Sequence, residues 1–197
     1  MLDDSALDLI FRNARTFRGS SKAWQSRPVE PALLQQVWDL AKLGPTSANC
    51  SPARIVFVVT PAAKADLAEG LDPGNVEASM AAPATAIIGM DMAFAEYLPK
   101  LFPQADARSW FEGNAALTQA TAFRNASLQG AYLMIAARAL GLDCGPMSGF
   151  DAAKIDAAFF AGTAVRSNFL VNLGYGEPTS LHPRNPRLSF AEACRVA

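Results

Sequence analysis

The sequence predicts a single α+β domain, and three observations carry that prediction. The runs Ile55-Val56-Phe57-Val58-Val59, Thr85-Ala86-Ile87-Ile88-Gly89 and Asn168-Phe169-Leu170-Val171-Asn172-Leu173 are too short for helices and read as buried strands. The segments between them place apolar residues at helical spacing. No internal repeat or low-complexity linker divides residues 1–197, so one unit spans the chain.

Leu7, Ile10, Phe11 and Ala14 follow acidic residues that suit a helix start. Pro28-Val29 is extended, and Pro31 fits the first turn of a second helix, where its missing N–H is harmless. Leu33, Leu34, Val37, Trp38, Leu40 and Ala41 give that helix a broad apolar face, and Gly44-Pro45 stops it. Ala62 to Leu71 is helical. Residues 92–113 interleave Phe94, Tyr97, Phe102, Trp110 and Phe111 with prolines and charges, the pattern of a packed excursion of loops and short helices. A long helix runs from about Ala115 to Leu140 and ends at Gly141. Asp151 caps a short helix, and Gly174-Tyr175-Gly176 turns the chain into a tail, Glu177 to Ala197.

Composition narrows the function. Hydrophobic residues make up 51% and charged residues 18%, which suggests surface buried between subunits. A net charge of −1 with no basic stripe argues against nucleic acid. Cys50, Cys144 and Cys194 lie far apart, without the convergent ligands of a zinc site, and no metal is expected. The acidic N-terminus lacks signal-peptide character, and Gln129 and Arg138 interrupt the most apolar stretch, Ala126 to Leu142. A cytoplasmic protein that does not span a membrane is expected.

No P-loop, complete Rossmann fingerprint or GxSxG elbow occurs, and His182 is the only histidine. Chemistry in such a chain is best borrowed from a cofactor. Four segments suit a planar, anionic ligand: Arg15-Thr16-Phe17-Arg18, Pro45-Thr46-Ser47-Ala48-Asn49, Pro146-Met147-Ser148-Gly149, and the tail arginines Arg184 and Arg187. Each also has an ordinary structural reading: a solvated helix end, a helix cap, a loop, and tail charges.

The order and spacing of these segments resemble the nitroreductase family. Pro45-Thr46-Ser47-Ala48-Asn49-Cys50-Ser51-Pro52 is similar to its P-S-S-x-N-x-Q-P turn. Ala139-Leu140-Gly141-Leu142-Asp143 and Pro146-Met147-Ser148-Gly149-Phe150-Asp151 are similar to its A-L-G-L-x…P-x-x-G-F-D segment, and the 174–176 turn also fits. The resemblance implies a nitroreductase-like fold, with a central mixed or antiparallel sheet flanked by helices in an intertwined homodimer. It implies FMN as cofactor and NADPH or NADH as transient donor, in a ping-pong transfer of hydride through flavin N5. Implied flavin contacts are Thr16 and Arg18, the turn of Pro45, Thr46, Ser47 and Asn49, then Asn75, Asn125, Met147, Ser148 and Gly149. Arg187 matches a phosphate-binding arginine, with Arg15 and Arg184 as further cations. Three departures stand out: Ala78 where many relatives have lysine, Ser51-Pro52-Ala53 for Gln-Pro-Trp, and Ala14 for an arginine.

Gly44 to Phe57, Asp106 to Phe111 and Gly145 to Asp151 resemble more closely the malonic semialdehyde reductase branch, which acts in pyrimidine breakdown and forms 3-hydroxypropionate. Such a substrate needs a cation for its carboxylate. Arg108 in the aromatic excursion is the first candidate, with an ion pair to Asp106 as its structural alternative, and Arg54 is the reserve. The rival readings are a general nitroaromatic or quinone reductase and a flavin-binding module without turnover.

Overall fold

The computed structural model describes residues 1–197. Helix α1 (Asp4–Leu7) starts where the Asp3 carboxylate accepts from the Ala6 N–H at 2.8 Å, and it continues as a π-helical turn over Asp8–Arg12. Helix α2 (Pro31–Ala41) begins at Pro31 and buries Leu34, Val37 and Ala41. At its end, a Cβ on Gly44 would lie 2.6 Å from the Tyr132 ring, so this glycine permits close packing as well as stopping the helix. Strand β1 (Ala53–Val58) leads to α3 (Pro61–Gly70), capped by the Thr60 hydroxyl, and then to α4 (Pro73–Ala81). Strand β2 (Ala84–Asp91) precedes the 92–113 segment, which contains α5 (Leu98–Leu101). The long helix is α6 (Ala115–Ala139), followed by β3 (Asp143–Met147), α7 (Ala152–Phe159), β4 (Val165–Gly174) and, in the tail, α8 (Phe190–Ala193).

The four strands are wholly antiparallel in the order β1-β2-β4-β3. Ile88, Val171 and Leu173 join Leu34, Val37 and Leu133 on the side of α2 and α6. Their neighbours Ile87 and Leu170 point to the opposite side, with Leu67, Ile155 and Phe160. Both faces of the sheet are therefore covered, which explains why the strand sequences are continuous apolar runs.

Two elements were not expected from the sequence. Helix α4 carries Gly74, Asn75 and small residues instead of a clear apolar stripe. Strand β3 contains Gly145-Pro146, a pair that argues against a central strand. It lies at the sheet edge, where a proline can be tolerated because it need not donate in a central ladder. Gly145 is required because a Cβ there would lie 2.2 Å from the Phe17 carbonyl oxygen.

The 92–113 segment has a small core of its own, in which Phe94, Leu98 and Ala107 pack with Cys50 and Ala122. Phe94 meets Phe111 edge-on at 4.9 Å. No helix of the protein is long and apolar enough to cross a membrane.

Candidate active site

The edge of β3 sets the site. Phe17 is buried against Trp24, and its N–H donates to the Cys144 carbonyl at 3.2 Å, so residues 15–18 run beside that edge with Thr16 and Arg18 left exposed. Between this segment, β3 and the tail lies a cleft of about 680 Å³. Arg15, Arg18, Arg138, Arg184 and Arg187 line it, and no carboxylate does. The tail is tied to this end. Arg184 donates to the carbonyls of Arg12 and Ala14 at 2.6 and 3.0 Å, and Arg15 donates to that of His182 at 2.5 Å. Arg187 donates only to Asn185 and Pro186 beside it.

A second cleft, of about 280 Å³, continues from the first, since Arg18 and Pro146 line both. Asn75, Ala78, Met147, Ser148 and Gly149 surround it. The Gly149 carbonyl accepts from Asn75 Nδ2 at 2.8 Å and from the Asp72 N–H at 3.1 Å, which fixes the end of β3 against α4. The N–H groups of Ser148 and Gly149 donate to no protein acceptor. A Cβ at Gly149 would lie 2.6 Å from Asn75 Nδ2. Below the cleft, a buried chain of polar groups runs from Thr85, whose hydroxyl donates to Asn172 Oδ1 at 2.7 Å, through Asn172 Nδ2 to Ser79 Oγ at 3.1 Å. Ser79 in turn donates to Met147 Sδ at 3.6 Å. With Ala78 at the wall, Arg18 is the one cation lining this second cleft.

The remaining sequence candidates lie elsewhere in the chain. Asn125 is buried in the middle of α6, where its Oδ1 accepts from the Ser47 N–H at 2.8 Å and its Nδ2 donates to the Thr121 carbonyl at 2.8 Å. It holds the 45–49 turn instead of lining either cleft. Asn125 and Arg138 are about 20 Å apart along α6, at ~1.5 Å rise per residue. Within one chain the 45–49 turn and the 146–150 segment therefore lie apart. Pro45, Thr46, Ser47 and Asn49 line neither cleft; Asn49 Nδ2 donates instead to the Leu101 carbonyl at 2.8 Å. Ala48, Asn49 and Ser51 all adopt positive φ, at 47°, 51° and 38°. Such clustered strain in non-glycine residues is characteristic of functional turns.

Arg54 is held by Asp91 at 2.6 Å and by the carbonyls of Ser51 and Ala53, with its guanidinium 4.7 Å from the Tyr97 ring centre. Arg108 pairs with Glu96 at 3.0 Å, not with Asp106, and both side chains are about half exposed. An exposed pair of this kind contributes about 0–1 kcal/mol and leaves the guanidinium exchangeable.

Sequence reasoning passed over Arg138 and Asn172. In the sequence Arg138 reads only as a charge interrupting an apolar stretch, and Asn172 only as part of a strand run. Burial raises the Cys50 thiol to about 11 and the Cys144 thiol to about 12, opposed by the Thr46 hydrogen bond and the charge of Arg138 respectively. Neither thiol is a ready nucleophile. At pH 8 both should resist alkylation in the native protein and react on unfolding, with peptide mass spectrometry as the check. Rapid native labelling of either would contradict this placement.

The family model described as "Nitroreductase family" matches residues 16–175. A candidate NADH dehydrogenase/NAD(P)H nitroreductase of Burkholderia lata is 66% identical over 195 residues, covering 99% of this chain and 98% of that protein. A Stenotrophomonas maltophilia protein of the same description is 60% identical, covering 100% and 98%. Among solved structures, a candidate nitroreductase from Bacillus subtilis has a TM-score of 0.87 at 19% identity, covering 99% of this chain and 100% of its own. A candidate nitroreductase from Exiguobacterium sibiricum, solved in complex with FMN, has a TM-score of 0.84 at 18% identity, covering 100% and 99%. With the family model matching residues 16–175 and relatives matching end to end, this chain belongs to the nitroreductase family.

Proposed function

We propose that the joined clefts hold FMN, and that the protein passes reducing equivalents from NADPH or NADH to malonic semialdehyde, giving 3-hydroxypropionate. The observation that carries the reading is the polarity of the trough. One end has several arginines and no carboxylate, which suits a phosphate; the other has two backbone N–H groups without protein acceptors, which suits the edge of a polar ring. When bound, FMN supplies hydride transfer between the nicotinamide donor and the acceptor.

The chain's own groups orient that cofactor. Arg15, Thr16, Arg184 and Arg187 would face the phosphate, while Asn75, Met147, Ser148 and Gly149 would face the ring. Arg18 lies between the two ends. The 45–49 turn, steadied by Asn125, would close the trough of a second copy, because within its own chain it lies too far along α6. An intertwined homodimer is supported by exposed apolar residues on α6, including Leu117, Phe123, Leu128 and Tyr132, and by Leu188, Phe190 and Val196 in the tail. A mainly apolar groove bordered by Leu34, Trp38, Ile55 and Phe57 lies beside β1, which has no second strand neighbour.

In such a dimer the 92–113 excursion, packed on the 45–51 turn, would cover the acceptor. Arg108 remains the first anchor for its carboxylate, because its only ion-pair partner is exposed, whereas Arg54 is already held by Asp91. Arg108→Ala should raise KM for the semialdehyde about 10-fold or more, the loss of a charged hydrogen bond. KM for a neutral quinone should hardly change; equal effects on both would overturn the assignment.

The exposed rings of Tyr97 and Trp110 favour a second reading, a general nitroaromatic or quinone reductase that binds acceptors by stacking. A flavin-binding module without turnover is the third. Purified protein should be yellow, and NADPH or NADH should bleach it; a bound flavin that neither donor reduces would leave the inert module. Steady-state rates with malonic semialdehyde against a nitroaromatic then separate the first two readings.

A further inference from the structure

We infer that Arg138 is an additional anion-binding residue of the arginine-rich cleft, and the one held on a rigid element, directed at the phosphate monoester of the flavin. The inference rests on the proposal that the trough holds FMN. Arg138 lies in the last turn of the 25-residue helix α6, whereas the other four arginines of the cleft come from irregular segments at either end of the chain.

Its guanidinium makes no hydrogen bond or ion pair within the protein, and its Nε is fully buried with no partner. A buried donor left unsatisfied is destabilising, more so when it belongs to a charged group. An arginine serving only the negative end of the helix dipole would keep its head in water and avoid that cost. Burial raises the Asp143 carboxyl against the opposing Gly176 N–H and the charge of Arg138, yet no salt bridge joins Asp143 to Arg138, and its carboxylate accepts from the Gly176 N–H at 2.9 Å. The half-buried Arg138 guanidinium is therefore unpartnered, with its Nε closed to water, in a cleft without carboxylates. A dianionic ligand there gains charge-assisted hydrogen bonds to a guanidinium that needs little reordering.

Fluorescence titration of the flavin-free protein with FMN and with riboflavin tests this, because the two share the ring and differ in the phosphate. Arg138→Gln should weaken FMN binding about 10–100-fold, the loss of a charged hydrogen bond, and leave riboflavin affinity within about twofold. Arg138→Lys keeps the charge without the planar fork and should give an intermediate loss for FMN alone. Unchanged FMN affinity in Arg138→Gln overturns the inference. So does a parallel loss of both flavins in both variants, which marks a structural role. If Arg138→Gln does not fold, Arg138→Lys decides by the same comparison, its selective loss of FMN supporting the inference and its equal treatment of both flavins overturning it. Wild-type protein that takes up neither flavin overturns the FMN reading itself, and the inference with it.

Discussion

Arg18→Gln should weaken FMN binding about 10–100-fold and make the midpoint potential of the bound flavin about 30–60 mV more negative. The affinity loss corresponds to one lost charge-assisted interaction of about 1.5–3 kcal/mol, and the potential shift to a further loss of about that size specific to the reduced flavin, at about 30 mV per 1.4 kcal/mol for a two-electron couple. Arg18 is the single residue whose charge reaches both halves of the trough, because with Pro146 it lines the two clefts at their junction. It makes no hydrogen bond or ion pair to the rest of the chain, so its donors are available to a ligand. Where the family resemblance implies a lysine, Ala78 is buried to 2% exposure and offers no charge. Reduction adds negative charge to the flavin, and removing the only cation of that cleft disfavours the reduced state. Ala78→Lys in the Arg18→Gln background should move the potential back towards the wild-type value. Titration against redox dyes, with affinity measured separately, is the check. If Arg18→Gln left both affinity and potential unchanged, Arg18 would be only an exposed side chain at the rim.

Part of the candidate site is legible in the sequence and part is not, for physical reasons that can be traced to particular residues. Ser148-Gly149 and Arg18 are legible because glycine tolerance and guanidinium chemistry are properties of single residues. The resemblance implies Asn125 as a flavin contact, and within its own chain the amide bonds Ser47 and Thr121. A hydrogen-bonding residue on a helix does not announce whether it serves a ligand or a neighbouring turn. Arg138 was discounted because a lone charge in an apolar run first reads as evidence against a membrane span. For the fold, the runs at 55–59, 85–89 and 168–173 identify three strands, since burial on both faces leaves an unmistakable pattern. Strand β3 escaped because Gly145 and Pro146 satisfy demands of the edge, namely the close passage of Phe17 and a missing N–H, that no periodicity expresses. Helix α4 escaped because it is built from small residues.

The full chain should run as a particle of about twice 20.9 kDa, and truncation after Arg187 should give a monomer about 1 kDa lighter than one full chain, with much weaker FMN binding. Arg184 and Arg187 remain in such a chain, so the phosphate end keeps its tail cations. What is removed is Leu188, Phe190 and Val196, which are 70%, 68% and 90% exposed and contribute nothing to the core of their own chain. If a second copy buries them, each contributes about 1.5–3 kcal/mol, so three contribute roughly 5–9 kcal/mol to association. At about 1.4 kcal/mol per factor of ten, that weakens the dimer by at least a thousandfold. The fold itself should survive, because the sheet and both of its apolar layers lie before residue 175. FMN affinity then falls through loss of the strained 45–49 turn of the second copy, because the one arginine removed, Arg195, does not line the cleft. Sedimentation at several concentrations, with circular dichroism and flavin titration on the same samples, separates these effects. A truncated chain that stays dimeric at nanomolar concentration would place the interface on α6 alone. A folded monomer that still holds FMN at wild-type affinity would mean that one chain completes the site and the 45–49 turn has no part in it.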